Sequence, residues 1–265
     1  MMNEQKARNL LVALSLTYKG DWDKIMLAIK NRERPTIDPD EAVLAVHTKF
    51  TTIFDNDYPE GLRNAYKPPF VLFYYGNLTL AKEMSRCVSY VGSRDASEYG
   101  IKMAHTLCSG LAEQGFTIVS GLALGIDRAA GDAALPYGRS IAVLGNGPDY
   151  FYPEENRDLQ EELKTKGLVI SEYPNDTPPV PKMFPLRNRI VAGLSKALIV
   201  GEAHPHSGTL ITVAQALNMG RDVLAVPFHA DEESFCNTLI KEGAMAVETV
   251  SDVVDYVGKP RRDKK

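Results

Sequence analysis

The sequence is short of several things that would announce its chemistry. It has three cysteines, Cys87, Cys108 and Cys236, and no Cys-x-x-Cys spacing. That argues against a disulfide framework and a structural zinc site, and fits a reducing, cytoplasmic setting. No apolar run approaches the roughly 20 residues of a membrane-spanning helix. The first residues, MMNEQKARN, hold no apolar signal-peptide core. The Gly-Lys-Ser/Thr of a phosphate-binding loop is missing, as is a Gly-x-Ser-x-Gly nucleophile elbow. Gly145-Asn146-Gly147 begins like a dinucleotide fingerprint, but Tyr150 stands where its third glycine belongs. No ribose-binding acid follows about 20 residues on at a strand end. No cofactor is therefore expected. His204 and His206 share a loop but have no evident third ligand, so they read as loop or rim residues and no metal is expected. Basic charge is also in the minority. Lys and Arg number 30 against 34 Asp and Glu, a net charge of −4. A wholly basic nucleic-acid binder is excluded; a local basic patch is not, because phosphate attraction acts over about one Debye length.

What is present is a regular alternation. Residues 3–50 have helical spacing: Leu10, Leu11, Leu14 and Tyr18, then Trp22, Ile25, Met26 and Ile29, with a break at Gly20-Asp21. Asp38-Pro39-Asp40-Glu41 reads as the capped start of a third helix. The spacing predicts a small helical N-terminal domain over 1–52, a larger domain over 53–258 and a charged tail over 259–265. From Phe70 onward, short β-branched or aromatic runs alternate with amphipathic stretches. The runs are Phe70–Tyr75, Cys87–Val91, Phe116–Val119, Ser140–Leu144, Leu168–Ser171, Ala197–Val200, Val223–Val226 and Met245–Val247. The stretches include Tyr99–Gln114, Ile126–Leu135, Glu154–Lys164 and Thr209–Asn218. This predicts an α/β fold with a mostly parallel, doubly wound sheet.

In such sheets ligands bind beyond the carboxyl ends of the strands. Small residues gather there: Gly92-Ser93-Arg94, Ser120-Gly121, Gly145-Asn146-Gly147 and Ser207-Gly208-Thr209. Glycine lets backbone approach a ligand, and a helix N-terminus offers free N–H groups to an anion. Residues 177–201 hold Lys182, Arg187, Arg189 and Lys196 and no acid. Composition alone leaves a solvated basic face equally open. Asp127 reads as a helix cap. Glu172 and Glu202 follow strands without an evident acid–base partner, but either offers an internal partner to an arginine.

In order and spacing, "YVGSRDASEYG", "FTIVSGLALGIDRAAGDAAL", "IAVLGNGPDYFYPEEN", "LVISEYP", "FPLRNRIVAGLS", "SGTLITVAQALNMGRDVLAVP" and "LIKEGAMAV" resemble the DprA/Smf family (DNA processing protein A). The resemblance covers residues 58–250. It implies an extended Rossmann-like domain that binds single-stranded DNA, a homodimer, and a role in loading the RecA recombinase during natural transformation. On these residues, DNA contacts are expected from Gly92, Ser93, Arg94, Gly121, Lys182, Phe184, Arg187, Asn188, Arg189, Ser207, Gly208 and Thr209. The cations and small turns would hold phosphates, and Phe184 would offer a ring to a base. Leu124 and Gly131 stand where the family commonly has a basic residue and a histidine. Pro181 stands where some members have lysine, and Phe228–Glu233 replaces a glycine-serine turn. The winged-helix tail that many members carry is not expected. The main rival is a hydrolase of nucleoside monophosphates of the LOG type, which needs glutamates close after its glycine turn. Here Leu210, Ile211 and Thr212 follow Thr209. A sensor of a nucleotide-derived ligand is a second rival. The expectation is a non-enzymatic binder.

Overall fold

A computed structural model describes residues 4–205, 207–230, 232 and 234–258. The expected charged tail, His206, Asp231 and Glu233 lie outside them. The N-terminal helical spacing builds α1 (Glu4–Thr17), α2 (Trp22–Asn31) and α3 (Pro39–Ala45). Asp21 caps α2, its carboxylate accepting the Lys24 N–H, and Asp38 caps α3 by accepting those of Asp40 and Glu41. The helical reading of residues 3–50 misses one element. Lys49–Thr52 forms a strand, β1. Four residues, KFTT, are too few to display an alternating period, and only pairing with the rest of the sheet makes them a strand.

After the short α4 (Glu60–Arg63) come β2 (Val71–Gly76), β3 (Cys87–Gly92), α5 (Glu98–Glu113), β4 (Thr117–Ser120), α6 (Ile126–Ala134) and β5 (Ser140–Val143). Then follow α7 (Arg157–Lys166), β6 (Leu168–Ser171), α8 (Met183–Leu194), β7 (Ala197–Glu202) and α9 (Thr209–Asn218). The chain continues through β8 (Asp222–Ala225), α10 (Phe235–Lys241), β9 (Met245–Ala246) and α11 (Val250–Val257). All eight expected strands are found. The sheet order is β1-β2-β6-β5-β4-β3-β7-β8-β9. β1 and β2 run antiparallel to their neighbours; β6 through β9 are parallel.

Both faces of the sheet are covered, which explains its near-continuous apolar strands. On one face Ile190, Val191 and Leu194 of α8 and Val213 and Ala216 of α9 pack on Val143, Ile170 and Val200. On the other, Ala104, Leu107 and Leu111 of α5 and Ala130 and Ala134 of α6 pack on Val88, Ile118 and Ile199. Leu11, Val12 and Ala42 of the N-terminal helices share a core with Val71 and Phe73 of β2. From β3 the chain winds outward through β4, β5 and β6, then returns to lay β7 on the other side of β3. The strand order reverses between β3 and β7, and there the loops diverge and leave a crevice.

A polar network ties the N-terminal helices to loops at one strand end. His47 Nε2 lies 2.7 Å from an Asp149 oxygen; the Tyr75 hydroxyl and Asn175 Nδ2 donate to Asp149 at 2.8 and 2.9 Å. Thr48 donates to Asn175 at 2.8 Å. Burial opposes ionisation of Asp149, but hydrogen bonds from His47, Asn175 and Tyr75 outweigh it and hold its pKa below the ordinary 3.8. A depressed carboxylate contributes stability above its unfolded pKa and loses it as pH falls through the folded one. Asp149→Ala is thus expected to destabilise by about 1–3 kcal/mol at pH 7, since it strands several donors. Urea midpoints at pH 7 and pH 3 check this: the deficit shrinks at pH 3.

Candidate nucleic-acid interface

The crevice at the reversal is a cleft of about 800 Å³. The end of β3 contributes Gly92, Ser93 and Arg94, the end of β4 Gly121, and the turn after β7 Ser207, Gly208 and Thr209. Phe184, Arg187, Asn188 and Val191 enter from α8. Their spacing of three, four and seven residues is one face of a helix. Of the twelve residues expected to touch DNA, ten line this one cleft. Lys182 sits beside it, exposed at the head of α8, next to the lining residue Pro181.

Arg189 is elsewhere, and the expectation for it needs correcting. Residues two apart on a helix point about 200° apart, so Arg187 and Arg189 cannot share a groove. α8 begins at Met183, so both arginines lie well inside the helix. Arg189 is 2% exposed and faces the molecule's interior. Its Nη1 and Nη2 donate to the two Glu172 oxygens at 2.6 and 2.5 Å, and its Nε to the Lys67 carbonyl at 3.0 Å. This internal partner is the alternative that the sequence left open. Lys196 is also drawn inward, donating to the Val257 carbonyl at the end of α11. Of the four cations in the acid-free stretch, only Lys182 is exposed.

Arg187 forms the floor. Its Nη1 donates to the Gly121 carbonyl at 2.5 Å and to that of Val143, and its Nε to Asn188 Oδ1 at 3.2 Å. The head lies so close to Gly121 that a Cβ there would be 2.5 Å from both terminal nitrogens, so a side chain at 121 would have to displace the guanidinium. Burial pushes the Arg187 guanidinium down to about 10; Asp127 opposes the shift and Arg94 adds to it. Even so lowered, Arg187 stays charged at neutral pH, a buried cation beside Asp127 at the base of the cleft. Asp127, expected as a cap, is buried and braces the floor, accepting the Gly121 N–H at 3.1 Å. Burial raises its pKa, while the Arg187 charge and the N–H groups of Ala123, Gly121 and Gly92 resist.

Arg94 is the exposed cation of the rim. It makes no hydrogen bond or ion pair among the described residues, and its turn is pinned. Ser93 N donates to the Glu202 carbonyl at 2.8 Å, and Ser93 Oγ to the Asp95 carbonyl at 2.7 Å. Glu202 pairs with no arginine among the described residues; its carboxylate accepts from the N–H and hydroxyl of Ser97.

Side-chain charge on the cleft lining sums to nothing, since Arg94 and Arg187 face Asp95 and Asp127. The lining also includes helix starts. Residues at or near the starts of α6, α8 and α9 line the cleft, and none of these helices has a side-chain cap. Some of their first N–H groups meet local carbonyls, Ile126 N that of Ser93 and Met183 N that of Val180, but the helix ends still carry partial positive charge. The Ser207 hydroxyl is buried in the same wall without a partner among the described residues. Composition hides this feature, because it belongs to helix ends rather than to side chains.

Part of the lining is apolar. Phe184 lies against Gly145, and its ring centroid is 5.1 Å from that of Tyr152. Pro179 and Pro181 extend the wall. Sequence reasoning passed over Tyr152; the available signal was the aromatic run Tyr150-Phe151-Tyr152 soon after a glycine-rich strand end. The departures from the family pattern differ in position. Pro181 lines the cleft. Gly131 lies under Leu159, where a Cβ would come within 3.1 Å of Leu159 Cδ2. Leu124 is 37% exposed.

Fold and cleft define an extended Rossmann-like α/β protein with a crevice, lined by glycine turns and helix starts, at its topological switch point. The family model described as DNA recombination-mediator protein A matches residues 49–258. DNA processing protein DprA of Streptococcus pneumoniae is 45% identical over 206 residues, 77% of this chain and 72% of that protein. Protein Smf of Synechocystis sp. is 41% identical over 215 residues, 79% of this chain and 54% of that protein. The chain thus spans about half the length of the Synechocystis relative. The X-ray structure of DprA from S. pneumoniae matches with a TM-score of 0.79 and 38% identity, covering 95% of both chains. DNA processing protein A from Helicobacter pylori, whose structure was described for its single-stranded DNA binding mode, matches with a TM-score of 0.72 and 28% identity. It covers 80% of this chain and 96% of that one. The chain belongs to the DNA recombination-mediator protein A (DprA/Smf) family. No helix among the described residues is long and apolar enough to cross a membrane.

Proposed function

We propose that this protein binds single-stranded DNA in the cleft, acts as a homodimer without enzymatic activity, and passes the strand to a RecA-type recombinase during DNA uptake. The observation that carries the binding step is the mixed lining of the cleft: helix starts, Arg94 and Ser207 occur in it together with the rings of Phe184 and Tyr152. An unpaired strand needs both, phosphate contacts along its backbone and surfaces for unstacked bases. The dimer, the recombinase and the uptake role rest on the family, as does a cytoplasmic location.

The hydrolase reading is disfavoured by the carboxylates in the lining. Asp127 accepts backbone N–H groups and Asp95 is exposed on the rim loop. Neither follows the Ser207–Thr209 turn, where that chemistry places its glutamates. Mobility shift with single- and double-stranded oligonucleotides at two salt concentrations tests the reading; equal affinity for duplex, or no shift at either salt, overturns it. Incubation with nucleoside monophosphates is expected to release no free base. Arg94→Ala is expected to weaken oligo-dT binding and reduce the slope of log K against log salt by about one. Fluorescence anisotropy across a salt series measures both.

A further inference from the structure

We infer that Tyr152 is a second base-stacking platform, which with Phe184 makes an aromatic wall that orients the strand with bases inward and phosphates toward Arg94. The assignment rests on the single-strand reading of the cleft. Tyr152 is 45% exposed although it lies in the cleft wall. Its ring meets Phe184 at 37°, a tilted contact that leaves it partly uncovered.

The backbone on either side of Tyr152 is anchored. Buried Asn146 donates its Nδ2 to the Tyr150 carbonyl at 3.0 Å, and buried Gln160 donates its Nε2 to the same oxygen at 3.1 Å. Gln160 also donates to the Pro148 carbonyl, and Asn156 N to that of Pro153. Two buried amides thus fix the backbone two residues before Tyr152, and a third contact fixes it one residue after. The neighbouring Phe151 turns away, under the Arg157 guanidinium at 3.8 Å. A rigid loop that presents an exposed ring into a cleft is preorganised for a planar ligand, since little freedom remains to be lost on binding. Every base has a π-face, so such a wall accepts any sequence but requires unpaired bases.

The test compares an oligo-dT strand with an abasic strand of equal length, which keeps the phosphates and removes the bases. Wild-type protein is expected to prefer oligo-dT. Tyr152→Ala should lower oligo-dT affinity roughly 5- to 150-fold, the range of one stacked base, while leaving the abasic strand almost unchanged. Tyr152→Phe should behave as wild type. Equal losses on both strands would mean that Tyr152 only supports the loop, and no loss on either would mean that it makes no contact; each overturns the assignment. Arg94→Ala separates this failure from failure of the cleft reading: it should weaken both strands. If it weakens neither, the cleft is not the binding site and the Tyr152 assignment goes with it.

Discussion

Arg189→Ala is expected to destabilise the protein by about 3–5 kcal/mol, because it leaves the Glu172 carboxylate buried without its partner. Both side chains of this pair are almost fully enclosed, 3% and 5% exposed. Two parallel N–H···O contacts join them, and the remaining Nε donor is satisfied by the Lys67 carbonyl. The pair links the loop after β6 to α8, the helix that carries Phe184, Arg187 and Asn188. The loss measures an uncompensated charge rather than the net worth of the pair. A combined Arg189→Met and Glu172→Leu variant should therefore recover much of it. Urea unfolding of the two variants decides the matter; a double variant no better than the single one would contradict the charge explanation. Folded Arg189→Ala should also keep the wild-type salt slope for oligo-dT, because its head does not reach the cleft. That contrasts with Arg94→Ala.

Gly125→Ala should damage fold and cleft together. Gly125 precedes α6 with φ +70° and ψ −123°, a conformation essentially closed to residues with a Cβ. Its Cα also lies against the rim turn. A Cβ there would sit 2.4 Å from the Ser93 carbonyl oxygen and 2.5 Å from that of Arg94. Both are backbone atoms, so no rotamer relieves the clash. Either the α6 start or the Ser93–Arg94 turn must shift, and the Ile126 N–H to Ser93 carbonyl bond of 3.0 Å joins the two. A loss of about 1–3 kcal/mol in stability is expected from the backbone conformation alone. Oligo-dT affinity should fall at least as far as in Arg94→Ala, because the turn that aims Arg94 moves with it. Unfolding midpoints and anisotropy titrations measure the two effects separately. Wild-type affinity in a folded Gly125→Ala protein would show that the rim turn does not position the strand.

Most of the fold could be read from the chain, because its signals are local. Buried parallel strands are short apolar runs, and glycine turns mark their ends. The helices beside them carry amphipathic spacing. Two kinds of element escaped. β1 is a strand only by pairing with β2, which no pattern within four residues reveals. The start of α8 at Met183 is the other, because its N-cap, Lys182, makes no side-chain capping bond for a sequence to advertise. With the helix begun at Met183, the 200° between Arg187 and Arg189 separates their roles on geometry alone.

The sequence by itself determined the order of strands and helices, the small turns at the strand ends and the family. It also determined that any anion site must be local in a chain with net charge −4. Tertiary structure decided which cations stay available at the cleft. Arg189 is claimed by Glu172, 17 residues away; Lys196 by the Val257 carbonyl, 61 residues away; and Arg187 by carbonyls 44 and 66 residues away. Charge is a property of a residue, whereas availability depends on the acceptors that folding brings to it. Only packing brings the ends of β3, β4 and β7 and the starts of three helices to one crevice.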